Sequence, residues 1–324
     1  MAARKVAVAV VGKGGHAGRL IDLVRKHPKA TLSCVYHPTK VGGSARPCTD
    51  DFAAVLAADA VIVASPTPTH AGYLRKLSRF QGRILVEKPA VSAAADIAEL
   101  RKWPLARKRR VRINYNLAFS ELYRHLARVA RSPRLGTPLF LDVHVSYGPA
   151  FRPEYRTNWR TDRAQSLGAL ESIGVHFVNL ALRLFGPVAA SSASVRSAAR
   201  KSASRVDTGL ASFRTSSGVY VSLFHSHAAP YYFRMHLLGT NGYWEYDGRE
   251  ARLHSPRETL HADGSFAPPP LVERTALDHM KGSRASLESA VDSFIRAVGR
   301  GALFDAADFD LGLASMDPLL GARR

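Results

Sequence analysis

Cysteine is nearly absent from this chain. Cys34 and Cys48 are the two in 324 residues, too few for a disulfide framework and set in neither a redox nor a zinc spacing. Long apolar runs are missing too: Val6–Val11 ends at Gly12, too short for a signal-peptide core or a membrane span. These absences place the chain in the cytoplasm, away from membranes, as an expectation. Acids are scarce, 26 Asp and Glu against 46 Lys and Arg, for a formal net charge of +20. Charged residues make up only 22% beside 46% hydrophobic, which excludes a disordered chain, and the length suits two domains of ordinary size.

Two explanations compete for the positive charge: a basic face for nucleic acid, or a cationic field that recruits a small anionic substrate. The densest run, Arg101 to Arg112, precedes an expected strand and reads as a solvated helix end. Aromatic residues are not interleaved through it as a base-stacking platform requires. The second explanation is favoured, with no nucleic-acid partner.

What the chain does have is order. The apolar runs Val6–Val11, Thr31–Tyr36, Ala60–Ala64, Ile84–Val86 and Val111–Tyr115 alternate with helical stretches such as Ala17 to Lys26. That pattern predicts a doubly wound parallel sheet with right-handed crossovers over residues 1–117. From 118 to 324 the style changes. Glu121–Ala130 reads as helix, Leu139–Tyr147 as strand, and Ala169–Phe185 as a periodic helix stopped by Gly186-Pro187. Several strand-like runs follow between Ala189 and His254, predicting a mostly antiparallel sheet, and Ser286–Val298 and Ala306–Leu319 read as closing helices.

Gly12-Lys13-Gly14-Gly15-His16-Ala17 follows the first strand and opens a helix, a G-x-G-x-x-A turn. The first glycine permits the tight turn, the second lets a pyrophosphate approach, and the small third residue allows close helix–strand packing. No acid occurs between Asp22 and Asp50, where an NAD-selective site usually holds the ribose 2′-hydroxyl; His37-Pro38-Thr39-Lys40 and Arg46 stand there instead. A cationic loop suits a 2′-phosphate, so NADP(H) is favoured over NAD(H); the alternative is a loop that merely follows the general basicity. Glu87-Lys88-Pro89 ends an expected strand, where ligands bind in open sheets, and a lysine there can favour an alkoxide. His176 lies inside a helical pattern and is a proton acceptor for an alcohol oxidation if it faces a nicotinamide. His225 and His227 share one strand face and read as a structural or exposed pair rather than a zinc site.

Together with Ser65-Pro66-Thr67-Pro68-Thr69-His70 and Gly174-Val175-His176, these motifs resemble the Gfo/Idh/MocA oxidoreductases, the glucose–fructose oxidoreductase and inositol dehydrogenase group. Leu135-Gly136-Thr137-Pro138, Asn158-Trp159-Arg160, Asp207-Thr208 and Leu238-Gly239-Thr240-Asn241-Gly242 follow in the family's order. The resemblance implies an N-terminal Rossmann domain, and a C-terminal domain whose open sheet forms a homo-oligomer interface, dimer or tetramer. It implies NAD(P)-dependent chemistry at a hydroxyl of a sugar, cyclitol or sugar nucleotide. Lys88 would bridge substrate and nicotinamide ribose, and His176 would be the general acid/base. Cofactor contacts would come from residues 12–17, His37, Lys40, Ser65, Pro66, Thr67, His70, Glu87 and Lys88. Tyr115, Asn116, Trp159, Arg160 and Ser172 would wall the substrate pocket beside His176.

The chain departs from the family at Ser172, four residues before His176, where many members carry Asp. Glu171 is adjacent, but one residue turns it about 100° around an α-helix, so it needs a distortion to substitute. Three readings stand. Lys88 and His176 work with Ser172 as a hydrogen-bond partner, an anionic substrate supplies the charge, or the protein binds cofactor without catalysis as a sensor or accessory subunit.

Overall fold

Valine-rich runs build the first sheet because strands covered on both faces are apolar throughout. In a computed structural model, which describes residues 4–39, 48–155, 158–199, 204–258 and 260–323, six such strands pair in parallel. They are β1 (Val6–Val11), β2 (Ala30–Tyr36), β3 (Cys48–Thr49), β4 (Ala60–Val63), β5 (Arg83–Glu87) and β6 (Val111–Asn114), in the order β3-β2-β1-β4-β5-β6. This is the doubly wound sheet the sequence predicts, and its order reverses between β1 and β4, where such sheets open a ligand crevice.

Helices α1 (Gly15–Lys26), α2 (Ala53–Leu56), α3 (His70–Lys76), α4 (Ala94–Arg101) and α5 (Leu105–Lys108) link the strands. The apolar stripe of α1, Leu20, Ile21 and Val24, is fully buried with Val8, Val10 and Ile62 of the sheet. Each such side chain contributes about 1.5–3 kcal/mol relative to exposure. The basic run after α4 is spent locally. Arg107 stacks 3.8 Å over Trp103 and donates to the carbonyls of Leu74 and Ser78, and Arg110 donates to that of Gln81.

After α6 (Glu121–Val129), β7 (Pro138–Ser146) and α7 (Val175–Phe185), the chain lays down β8 (Val188–Arg196), β9 (Thr208–Thr215), β10 (Tyr220–Ser226), β11 (Tyr232–Gly239), β12 (Tyr243–Tyr246), β13 (Glu250–His254) and β14 (Leu271–Ala276). Their order is β14-β13-β12-β11-β7-β10-β9-β8. Pairing is antiparallel except between β7 and β10, because β7 inserts from a distance between two later strands. Leu141, Val143 and Val145 alternate inward, and α7 sets Phe177 against Phe233 at 5.9 Å between ring centroids.

Two expectations need correction. The helix expected from Ala169 is π-helical over Leu170–Gly174, and regular α-helix begins only at Val175; Gly186, at φ 83°, ends it where the sequence places the stop. A single cut at residue 117 also fails to describe the chain. It forms two compact units, Met1–Asn116 with Leu287–Leu313 and Leu117–Ser286 with Ala314–Arg324. The late residues return because Val291, Phe294 and Ile295 of α8 (His279–Gly299), with Phe304, are buried among the residues around β1 and β4. No helix among the described residues is long and apolar enough to cross a membrane.

Candidate active site

Gly12 leaves β1 with φ 114°, and a Cβ there would stand 2.8 Å from the Ala64 carbonyl oxygen and 2.9 Å from the Ser65 nitrogen. Only glycine lets the ends of β1 and β4 approach so closely. A Cβ on Gly14 or Gly15 would meet nothing within 4 Å, so the turn is open on that side. Helix α1 starts without a side-chain cap and without an acid in its first turn. Its first N–H groups and the positive end of its dipole therefore suit a pyrophosphate, and the turn fits a dinucleotide. Lys13 is exposed beside it, and Ala17 is buried as close packing requires.

The other motifs of this unit join the turn through a chain of contacts. His70 is buried, with Nε2 2.8 Å from the Ser65 carbonyl oxygen and Nδ1 3.1 Å from that of Pro89. Burial holds this imidazole below its ordinary pKa against its backbone hydrogen bonds, so it is neutral and donates to one carbonyl at a time. It ties the Ser65-Pro66-Thr67 turn to Lys88-Pro89, whose peptide bond is cis. Ser65 Oγ is 2.7 Å from Thr69 Oγ1, Pro66 is exposed, and Thr67 is buried in a single 3-10 turn. Glu87 is buried at the end of β5. Its Oε1 accepts from Asn114 Nδ2 at 2.6 Å and lies 3.0 Å from His16 Nε2, while Oε2 takes the Lys88 N–H at 3.3 Å. Burial pushes the Glu87 carboxyl up, but His16, Asn114 and Lys88 outweigh it and hold it below the usual range. Gly12, His16, Ser65, His70, Glu87 and half-buried Lys88 thus form one connected group at the carboxyl ends of β1, β4 and β5.

Not every expected residue joins it. Tyr115 is buried and gives its hydroxyl to the Gly312 carbonyl at 3.0 Å, and half-buried Asn116 opens a short 3-10 turn. His37 follows β2 and folds its ring onto Thr39, with Nδ1 2.8 Å from the Thr39 carbonyl oxygen. Lys40 and Arg46 lie outside the described residues.

In the second unit, Ser172 and His176 flank the change from π to α geometry, and both are half-buried. Leu170, the first residue of the π turn, lies over Gly209, where a Cβ would stand 2.6 Å from its side chain. The distortion buries Glu171, whose Oε2 accepts the Leu167 N–H at 3.1 Å. Ser172 Oγ lies 3.2 Å from His227 Nε2. The His227 ring is 5.7 Å from that of Tyr147 and 5.8 Å from that of Tyr155. Trp159 and Arg160 share a 3-10 turn capped by Asn158, with the guanidinium 4.5 Å over the indole. Tyr147 is 38% exposed as a residue, but desolvation of its phenol, with Tyr155 beside it, holds it above the ordinary range against the pull of Arg160.

Sequence reasoning missed Asn114, Tyr147, Tyr155 and the role of His227. His225 and His227 are both buried rather than exposed, and His227 pairs with a serine 55 residues earlier. Asp207-Thr208 proves structural: the carboxylate accepts from the Ala198 and Ala199 amides at 2.9 Å each and from Thr208 Oγ1 at 2.8 Å. No group of three metal-capable side chains occurs among the described residues.

Residues 6–116 match the family model described as an oxidoreductase family with an NAD-binding Rossmann fold, and residues 123–245 match the GFO/IDH/MocA C-terminal domain. An uncharacterized oxidoreductase from Synechocystis is 25% identical over 192 residues, covering 56% of this chain and 51% of its own, so the match spans about half of that relative. Among solved structures, levoglucosan dehydrogenase in complex with NADH and levoglucosan superposes with a TM-score of 0.75 at 15% identity, covering 98% of this chain and 97% of its own. A 3-ketoreductase from Actinomadura kijaniata, in complex with TDP-benzene and NADP, gives 0.71 at 17% identity, covering 97% and 96%. These likenesses concern the fold, and the two family matches carry the assignment: the chain belongs to the GFO/IDH/MocA oxidoreductase family.

Proposed function

We propose that the protein is an NAD(P)-dependent oxidoreductase acting on a hydroxyl-bearing carbon of a sugar, cyclitol or sugar nucleotide. The connected group running from Gly12 through Ser65, His70, Lys88 and Glu87 to His16 is the observation that carries this reading. The residues 12–17 would hold the pyrophosphate, and the nicotinamide, when bound, supplies the hydride or accepts it. In the oxidative direction His176 takes the hydroxyl proton while the hydride leaves the same carbon, giving a carbonyl. Lys88 places its positive charge at the developing alkoxide, and Glu87 fixes the lysine backbone through its amide. Trp159, Arg160 and Ser172 belong to the substrate side. NADP(H) is favoured over NAD(H), because no acid lies between Asp22 and Asp50.

Fluorescence titration with NADPH and NADH, beside a turnover screen of sugars, cyclitols and sugar nucleotides, tests this reading. It predicts binding of both dinucleotides with NADPH tighter by about tenfold, close to 1.4 kcal/mol, and turnover of at least one substrate class. Ser172 in the place of a carboxylate favours a second reading, a dinucleotide-binding member without catalysis. Tight binding with no turnover across the screen would support that one instead.

A further inference from the structure

The His16 side chain reaches from the glycine turn across the sheet. It starts where β1 passes into α1 and brings Nε2 within 3.0 Å of Glu87 Oε1 at the end of β5, with β4 lying between those strands. Asn114 Nδ2 and the Lys88 N–H bind the same buried carboxylate. Burial pushes that carboxyl up, but His16, Asn114 and Lys88 outweigh it and keep it ionised. A lone pair on Nε2 would be repelled by the oxygen it faces, so Nε2 carries the proton of the neutral ring and Nδ1 is left as an acceptor. The side chain is 39% exposed with Nε2 at its buried end, so the rest of the ring lies toward the open side of the turn.

His16 is also the second residue of α1, among the first N–H groups that suit a pyrophosphate. A phosphate oxygen at Nδ1 meets a lone pair if the ring is neutral and a second N–H if it is charged. Glu87 and Lys88 from the end of β5, Lys13 from the turn and Arg19 one turn along α1 are the charged groups around the ring. The cations and the helix end oppose a charge on His16, and a doubly negative pyrophosphate reverses that balance. We propose that His16 is a titrating anchor for the dinucleotide: as the pyrophosphate settles on the turn, Nδ1 takes a proton from solvent and donates it to a phosphate oxygen, with Glu87 balancing the ring from behind. No bond to phosphorus is made or broken. The inference rests on the dinucleotide reading of the turn and adds a proton to it. It also joins cofactor binding to the Lys88 corner, because the Glu87 carboxylate serves both.

Calorimetric titration with NADPH and NADH, at about pH 7.5 in buffers of different ionisation enthalpy, counts the protons taken up. Both dinucleotides carry the pyrophosphate, so both should take up on the order of half a proton or more at that pH. His16→Gln keeps an amide donor but cannot titrate. It should abolish the uptake and weaken both dinucleotides by about tenfold. His16→Lys keeps the charge without the titration, so it should abolish the uptake with a smaller loss of affinity, and it serves as the second variant if His16→Gln fails to fold. Lys13→Gln should weaken binding with the uptake retained. Binding without uptake, uptake with NADPH alone, or uptake that persists in either His16 variant would overturn the proposal. Uptake at His16 in a protein that turns over no substrate would leave it standing and overturn the oxidoreductase reading instead. Failure to bind either dinucleotide would overturn both.

Discussion

His225 shows how a titratable residue is committed by its surroundings. Its side chain is fully buried, and neither ring nitrogen has a hydrogen-bond partner among the described residues. Burial first, then His144 and His227, lower its pKa from 6.5 to about 3. The unfolded chain therefore binds more protons than the folded one between those values, so stability falls as pH drops through that window. One such group accounts for up to about 1.4 kcal/mol per pH unit. His279, lowered to about 4 by burial, acts in the same direction. Denaturant unfolding across this range should show the decline, and His225→Phe, which keeps the ring against Phe177, should flatten it. An unchanged slope would contradict the assignment. At this scale the sequence is legible where a residue type has one job. Gly12, Lys88 and His176 stand out from their motifs. The pairing of Ser172 with His227 does not, because 55 residues and a strand register separate them.

Elements were more readable than contacts. The strands β1, β2, β4, β5 and β6 fall close to their expected bounds, because runs such as Val6–Val11 have no polar alternative and glycine or proline closes them. The π turn at Leu170–Gly174 was not readable. Its first residue, Leu170, lies over Gly209 of a distant strand, and no local pattern encodes that contact. Nor could the periodicity of α8 say which core Phe294 and Ile295 would enter. The glycine turn gives the sharpest element-scale prediction. Gly12→Ala forces a side chain into φ 114° and against the Ala64 backbone. It should cost about 1–3 kcal/mol in backbone strain alone and weaken NADPH binding. Gly15→Ala, where a Cβ meets nothing within 4 Å of protein, should leave stability nearly unchanged. Equal thermal stability of the two variants would refute the close-approach argument.

For the whole molecule, the +20 charge and the open face of the second sheet matter most. On that face Phe140 pairs across to Tyr220 on one side and Leu238 on the other, and Tyr220 and Leu238 are 61% and 40% exposed. An apolar row of this kind on a sheet marks an interface. A homo-oligomer closed through it is therefore proposed. Sedimentation should find the wild type as a dimer or larger and Phe140→Glu shifted toward monomer; a monomeric wild type would contradict it. The positive field should draw an anionic substrate and weaken in salt. The central claim is that Lys88 and His176 carry hydride-linked proton chemistry. Its most direct test is the turnover number of Lys88→Met and His176→Ala, measured with the best substrate from the screen at saturating dinucleotide. The account predicts a loss of about 100-fold or more in each with dinucleotide binding retained; rates like the wild type in both would contradict it.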